Sequence, residues 1–196
     1  MTSPRAGVLV ALALFPVKSV AGLRPDEALL EPVGLRGDRG HVLVTAEGTV
    51  LTAKTAPLLR TLTLAGTAED PLLAAPGQRP GDLAAVAAHL GTSPLRLRAE
   101  AAGARQVAAV HVVSLAQRAD PAAGDSSRAN LVVDLDPAAE AAAVDGAHLL
   151  LGGLGEAPVR LRLGLRPRHC AGWFAEVVTP GRVRRGAPVQ VLAAPG

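Results

Sequence analysis

A chain of 196 residues, 49% of them hydrophobic, can fill the core of one ordinary domain or two small ones, and overall disorder is excluded. Aromatic residues make up only 2% (Phe15, Trp173 and Phe174), beside 21 Gly and 16 Pro, so the core must be Leu, Val and Ala. Base stacking on aromatic platforms is excluded as a binding mode. The formal net charge of +3 describes a solvated surface before a nucleic-acid footprint, and the expectation is no nucleic acid and no membrane partner.

All cations but Lys18 and Lys54 are Arg, the side chain best suited to bidentate contact with phosphate or carboxylate. The lone Cys170 excludes an internal disulfide and an all-cysteine metal site, which fits a reducing, cytoplasmic setting.

Residues 7–17 are almost wholly apolar, and Ser19-Val20-Ala21 superficially matches a signal-peptidase site. Only Arg5 precedes the run as a cation, the run is too short to span a bilayer, and Pro16 with Lys18 interrupts its end. A buried strand over Val8 to Phe15 that turns at Pro16 suits it better.

Short strands and turns follow: a strand over Ala28 to Pro32, a turn over Gly34 to Gly40, a strand over His41 to Thr45, a hairpin turn at Glu47-Gly48 and a strand over Thr49 to Ala53. Leu58 to Leu64 alternates Leu with Arg and Thr as a half-exposed strand would. Ala65 to Gly81 has no periodicity and reads as loop. Asp82 and Gly91 bracket a helix ending at Leu90. Strands are expected over Leu95 to Arg98 and Val107 to Ser114, and Asp120 to Arg128 reads as a surface loop. Beyond it come a strand over Leu131 to Leu135 and a helix capped by Asp136, begun by Pro137 and closed by Gly146. The last strands are His148 to Leu151, Val159 to Leu163, Trp173 to Val178 and Val189 to Leu192. The fold class is mainly β, of β-barrel type, with a few short helices. It is expected as a small N-terminal β-barrel over residues 1–66, a Pro- and Gly-rich connection with a short helix over 67–104, and a second β-barrel over 105–196.

No P-loop, GxGxxG turn, HExxH helix, GxSxG elbow or paired metal-ligand spacing occurs, and the five His are scattered singly. Four short motifs stand in order instead. They are Leu14-Phe15-Pro16-Val17-Lys18-Ser19; Gly34-Leu35-Arg36-Gly37-Asp38-Arg39 with the strands after it; Ser127-Arg128-Ala129-Asn130 entering Leu131 to Asp134; and Thr179-Pro180-Gly181-Arg182 running on to Val189.

In this order the motifs resemble the MOSC family, named after the C-terminal domain of molybdenum-cofactor sulfurases. The first two resemble the N-terminal β-barrel that precedes MOSC in the YcbX-like and amidoxime-reducing-component branch. The resemblance implies a β-rich pocket between two barrel-like parts that holds the molybdenum cofactor. Carried over by motif, Lys18 and Ser19 hold its phosphate end, Arg39 contacts pterin or phosphate, and Arg128 and Asn130 bind the pterin side. Thr52 and Ser114 follow the pattern only loosely. Lys is a point-charge partner for phosphate, Ser donates one hydrogen bond and Arg offers a planar fork. Simpler roles stand beside these. Lys18 and Ser19 also suit a solvated turn, Arg39 a pair with Asp38 or a hairpin cap, and Asn130 a local backbone bond. Arg182, Arg184 and Arg185 read as solvent-facing.

The resemblance also places Cys170 in Leu165-Arg166-Pro167-Arg168-His169-Cys170 as the catalytic thiolate and molybdenum ligand. Arg166, Arg168 and His169 would lower its pKa. The chain departs from the family pattern directly afterwards, so a second register stays open, in which the ligand loop is deleted and Cys170 merely precedes a strand. The implied function is a small oxidoreductase reducing N-hydroxylated compounds with an external reductase. A sulfur carrier or transferase charged at Cys170 by a cysteine desulfurase is the variant, and a degenerate non-catalytic barrel binding a small anion or a protein partner is the alternative. Pyridoxal phosphate enters only as a family association.

Overall fold

The structure is a computed structural model, and it describes residues 5–100, 108–152 and 157–194. Strands in chain order are β1 (Arg5–Leu12), β2 (Glu27–Glu31), β3 (Gly34–Leu35), β4 (His41–Thr45), β5 (Thr63–Gly66), β6 (Pro71–Ala74), β7 (Leu95–Ala99), β8 (Val110–Ser114), β9 (Leu131–Leu135), β10 (His148–Leu151), β11 (Val159–Leu163), β12 (Trp173–Thr179), β13 (Gly181–Arg184) and β14 (Pro188–Leu192). The α-helices are α1 (Leu83–Leu90), α2 (Leu115–Ala119) and α3 (Pro137–Ala142), with a 3-10 helix over Pro57–Thr61. The mainly β class expected from sequence is what forms. Among the described residues no helix is long and apolar enough to cross a membrane.

Two compact units share the chain. One comprises residues 1–13, 24–36 and 106–196, the other residues 14–23 and 37–105. In the first, seven strands close a barrel in the order β1-β14-β10-β11-β12-β8-β9. Closure leaves no strand edge unpaired, and period-two alternation fills the interior. On β11, Val159, Leu161 and Leu163 are buried while Arg160 and Arg162 are more exposed, and on β14 Val189 and Val191 repeat the pattern. Trp173, 1% exposed, is the one large ring in this Leu- and Val-built core. β8 and β9 pair in parallel, and the other barrel neighbours are antiparallel.

In the second unit β4 pairs β7 and β5 pairs β6, around a core of Val17, Val20, Leu43, Leu59, Leu62, Leu73 and Val86. The α1 helix follows its sequence signals: Asp82 accepts from the Ala85 amide at 2.9 Å, and Gly91 ends it in the left-handed conformation.

Several local expectations fail for identifiable reasons. Leu58 to Leu64 is a strand only at its end, where Thr63 and Leu64 begin β5: Pro57 starts a 3-10 turn whose three-residue spacing buries Leu59 and Leu62 together. Ala65 to Gly81 is not all loop, because Gly66, at φ +79°, lets the chain turn back and β5 pairs β6. Thr49 to Ala53 makes only a single bridge, Val50 to Val44, because Thr52 and Thr55 bond each other's backbone in a turn. Gly34–Leu35, expected as part of a turn, and Gly181–Arg184 flank β2 as short strands. The Asp136 helix stops at Ala142 rather than Gly146, and Val107 lies outside the described residues.

Candidate functional site

The smaller unit gathers three of the predicted residues on one pair of turns. Leu14–Ser19 runs beside Asp38–His41, stitched by Arg39 N to Phe15 O (2.8 Å), His41 N to Pro16 O (2.9 Å) and Lys18 N to His41 O (3.0 Å). Lys18 and Ser19 are the central residues of a tight turn that the Val20 amide closes onto Val17 O at 3.3 Å. Ser19 has φ +68° and Arg39 φ +54°, the only positive values among described non-glycine residues. Each costs on the order of 1 kcal/mol or more and persists because the surrounding bonds hold it.

Asp38 anchors this arrangement. One carboxylate oxygen accepts from the Phe15 amide at 2.7 Å and the other from the Arg39 guanidinium, whose carbon lies 5.5 Å from the Phe15 ring centroid. Both charged side chains are buried, so the pair is mutually compensated. Lys18 and Ser19 differ: they are half-buried, and neither the ammonium nor the hydroxyl has a hydrogen-bond partner among the described residues. Thr52 is spent locally, its hydroxyl and backbone all bonded to Thr55.

The barrel unit brings a second group together. Asn130 is 1% exposed and fully engaged: its Oδ1 accepts from the His111 amide (3.1 Å) and its Nδ2 donates to Ala13 O (3.2 Å). His111 Nε2 in turn lies 2.7 Å from Ala171 O, next to Cys170. Ala129 and Ala171 share an apolar cluster with Val113 and Val132, so the Arg128-Ala129-Asn130 segment and Cys170 are neighbours. Arg128 is half-buried and has its own partner. Gly172 is required beside them, since at φ +93° a Cβ there would meet Val112 O at 2.0 Å. Ser114 is fully buried, caps α2 through Gln117 N (3.1 Å) and donates to Glu140 Oε1 (2.7 Å). Its hydroxyl therefore serves structure.

Cys170 requires a correction. Its pKa is raised, not lowered: partial burial disfavours the thiolate and the Asp125 carboxylate adds to the effect. Asp125 is held alongside by Asp125 N to His169 O (3.2 Å) and Ala171 N to Asp125 O (3.2 Å). Arg166 instead stacks over the Trp173 ring, 5.7 Å from its centroid. Among the described residues no group of three or more His, Cys, Asp or Glu could hold a metal ion. Arg182 and Arg185 pair with the exposed Glu27 (3.6 Å) and Asp26 (2.8 Å), in keeping with a solvent-facing role.

Sequence reasoning missed Glu140 as the partner of Ser114, Asp125 as the neighbour of Cys170, and His41 beside Lys18. None has a local signal, because each meets its partner through tertiary contact: Glu140 from α3, Asp125 and His41 through a parallel bridge. The fold is similar to that of the solved YuaD protein from Bacillus subtilis, with 14% sequence identity, a TM-score of 0.51 and 100% of both chains covered. No curated protein matches the sequence. The family model of the MOSC N-terminal beta barrel domain matches residues 6–128, more than half of the chain; it includes the Lys18 and Arg39 motifs and ends at Arg128. By that match the chain belongs to the MOSC N-terminal beta barrel domain family, which is associated with molybdenum-cofactor-binding proteins.

Proposed function

We propose that this chain binds a phosphate-bearing small molecule, the molybdenum cofactor, with its phosphate end on Lys18 and Ser19. The observation that carries the reading is the polar pair without a hydrogen-bond partner among the described residues, at a turn pinned by backbone bonds to Arg39 and His41. Phosphate suits these residue types: consecutive residues carry a point-charge ammonium and a hydroxyl on a backbone pinned beside the Asp38 turn, and Asp38 compensates Arg39. The resemblance to the YcbX-like and amidoxime-reducing-component branch rests on the same Pro16-Val17-Lys18-Ser19 and Asp38-Arg39 motifs and belongs to this proposal.

The fit at the metal end is poorer. Cys170 is the one thiol, and its surroundings favour the protonated form, so ligation would have to displace that proton. Asn130, Ser114 and Thr52 are committed to internal hydrogen bonds, which argues for binding over an elaborate catalytic constellation. The cofactor, when bound, supplies two-electron chemistry; the chain's own residues bind and orient it. The sulfur-carrier variant rests on the same Cys170 and meets the same obstacle.

The test is molybdenum and phosphate content of protein made in a host that synthesises molybdopterin. Near-stoichiometric content is expected, reduced about tenfold or more by Lys18→Ala and unaffected by Arg184→Ala. Loss on Cys170→Ser would add molybdenum ligation to the reading. No metal and no phosphate in the wild type would overturn it and leave a non-catalytic barrel.

A further inference from the structure

We propose that Asp38 is the positioning residue of the Lys18–Ser19 turn: by accepting from the Phe15 amide it holds that turn in its strained form. This rests on the reading of the turn as a phosphate site. Ser19 is the third residue of the turn that the Val20 amide closes onto Val17 O, and its φ is +68°. Gly or Asn is the low-cost residue for a positive φ at that position. A Ser there adds a hydroxyl at the expense of backbone strain, and strain of this kind persists only where the surroundings enforce it.

The enforcement comes from the segment alongside. Arg39 N to Phe15 O, His41 N to Pro16 O and Lys18 N to His41 O join the two stretches, and all three are backbone to backbone. Asp38 supplies the side-chain tie, its Oδ1 accepting from the Phe15 amide at 2.7 Å across 23 positions of sequence. Pro16 has no amide hydrogen, so Phe15 carries the last backbone donor before Val17 that can fix the approach to the turn. The other carboxylate oxygen pairs with Arg39, itself at φ +54°, so one buried side chain joins strained Arg39 to the approach of strained Ser19. As a buried anion Asp38 is no partner for phosphate. Its part is to fix where the ammonium and hydroxyl stand, and a turn already held in one form loses less freedom when an anion binds.

The experiment titrates the full chain with inorganic phosphate by heteronuclear NMR. It also follows the intraresidue HN–Hα contact of Ser19, which is strong for a positive φ and weak for a negative one. Asp38→Asn keeps an oxygen for the Phe15 amide, whereas Asp38→Ala removes the acceptor, and both leave Arg39 without its carboxylate. The expected result is affinity within about threefold of wild type and a strong Ser19 contact for Asp38→Asn, against about tenfold weaker binding and a weak contact for Asp38→Ala. Where an uncompensated Arg39 prevents folding, the two substitutions are compared in the Arg39→Gln chain, and the same difference between them is expected. Equal weakening in both variants, or a Ser19 contact that stays strong in Asp38→Ala, overturns the inference. If Lys18→Ala weakens binding tenfold while Asp38→Ala stays within twofold, Asp38 falls and the phosphate site stands. No phosphate response in wild type overturns the site reading and the positioning role with it.

Discussion

The turn around Lys18 and the strand entry around Asn130 carry the same kind of motif residue, yet the structure uses them in opposite ways. Asn130 is enclosed between β1 and β8, with its amide oxygen and nitrogen both occupied by backbone groups. Lys18 and Ser19 sit on a backbone just as firmly pinned, but their side chains have no hydrogen-bond partner among the described residues. A polar residue type in a motif therefore identifies a position, and only the fate of its hydrogen bonds tells whether that position serves the fold or a ligand. Ser114 and Thr52 fall with Asn130, and Arg39 lies between the two cases, buried and paired but with a guanidinium that has more donors than Asp38 can accept.

The contrast is broken most severely at Asn130. Asn130→Ala leaves the His111 amide and the Ala13 carbonyl unsatisfied in the interior, each costing about 1–3 kcal/mol, so the expected loss is roughly 3 kcal/mol in denaturant unfolding. A loss below about 1 kcal/mol would show that Asn130 is not a structural tie, and would return it to the pool of ligand residues.

These two fates explain what could be read in the sequence. The barrel strands were legible because closure demands alternation, and Val159 to Leu163 or Val189 to Leu192 display it residue by residue. Helix ends were legible where one residue caps them locally, as Asp82 and Asp136 do. Leu58 to Leu64 misled because its alternating Leu residues satisfy two periods at once, and Pro57 together with the core around Leu59 and Leu62 selects the three-residue one. At the site, the Lys18 turn was legible as a motif, whereas Asp125 beside Cys170 was not. Those two meet through a parallel bridge between residues 45 positions apart, and it inverts the charge environment that the flanking Arg166, Arg168 and His169 suggest.

That inversion gives a smaller effect to measure. Burial and Asp125 both hold the Cys170 thiol above its usual range, so the folded state keeps its proton to higher pH than an unfolded chain does. Alkylation by iodoacetamide should therefore be slow at neutral pH and rise at a higher pH than for the same residue in urea, with Asp125→Asn moving the profile part of the way down. A profile below that of the unfolded chain would mean that the neighbouring cations dominate after all, and would strengthen Cys170 as a thiolate ligand.

The smallest expected effect is the one that separates ligand residues from structural ones. Lys18→Ala removes a half-exposed side chain without a hydrogen-bond partner among the described residues, so unfolding free energy should change by no more than about 0.5 kcal/mol even though phosphate retention falls. The turn survives the change because it is held by backbone bonds to Phe15, Pro16 and His41 and by the Asp38 carboxylate, none of which involves the Lys18 side chain. Stability lost in step with affinity would place Lys18 in the same class as Asn130, and the distinction between unspent and spent side chains would no longer mark the site.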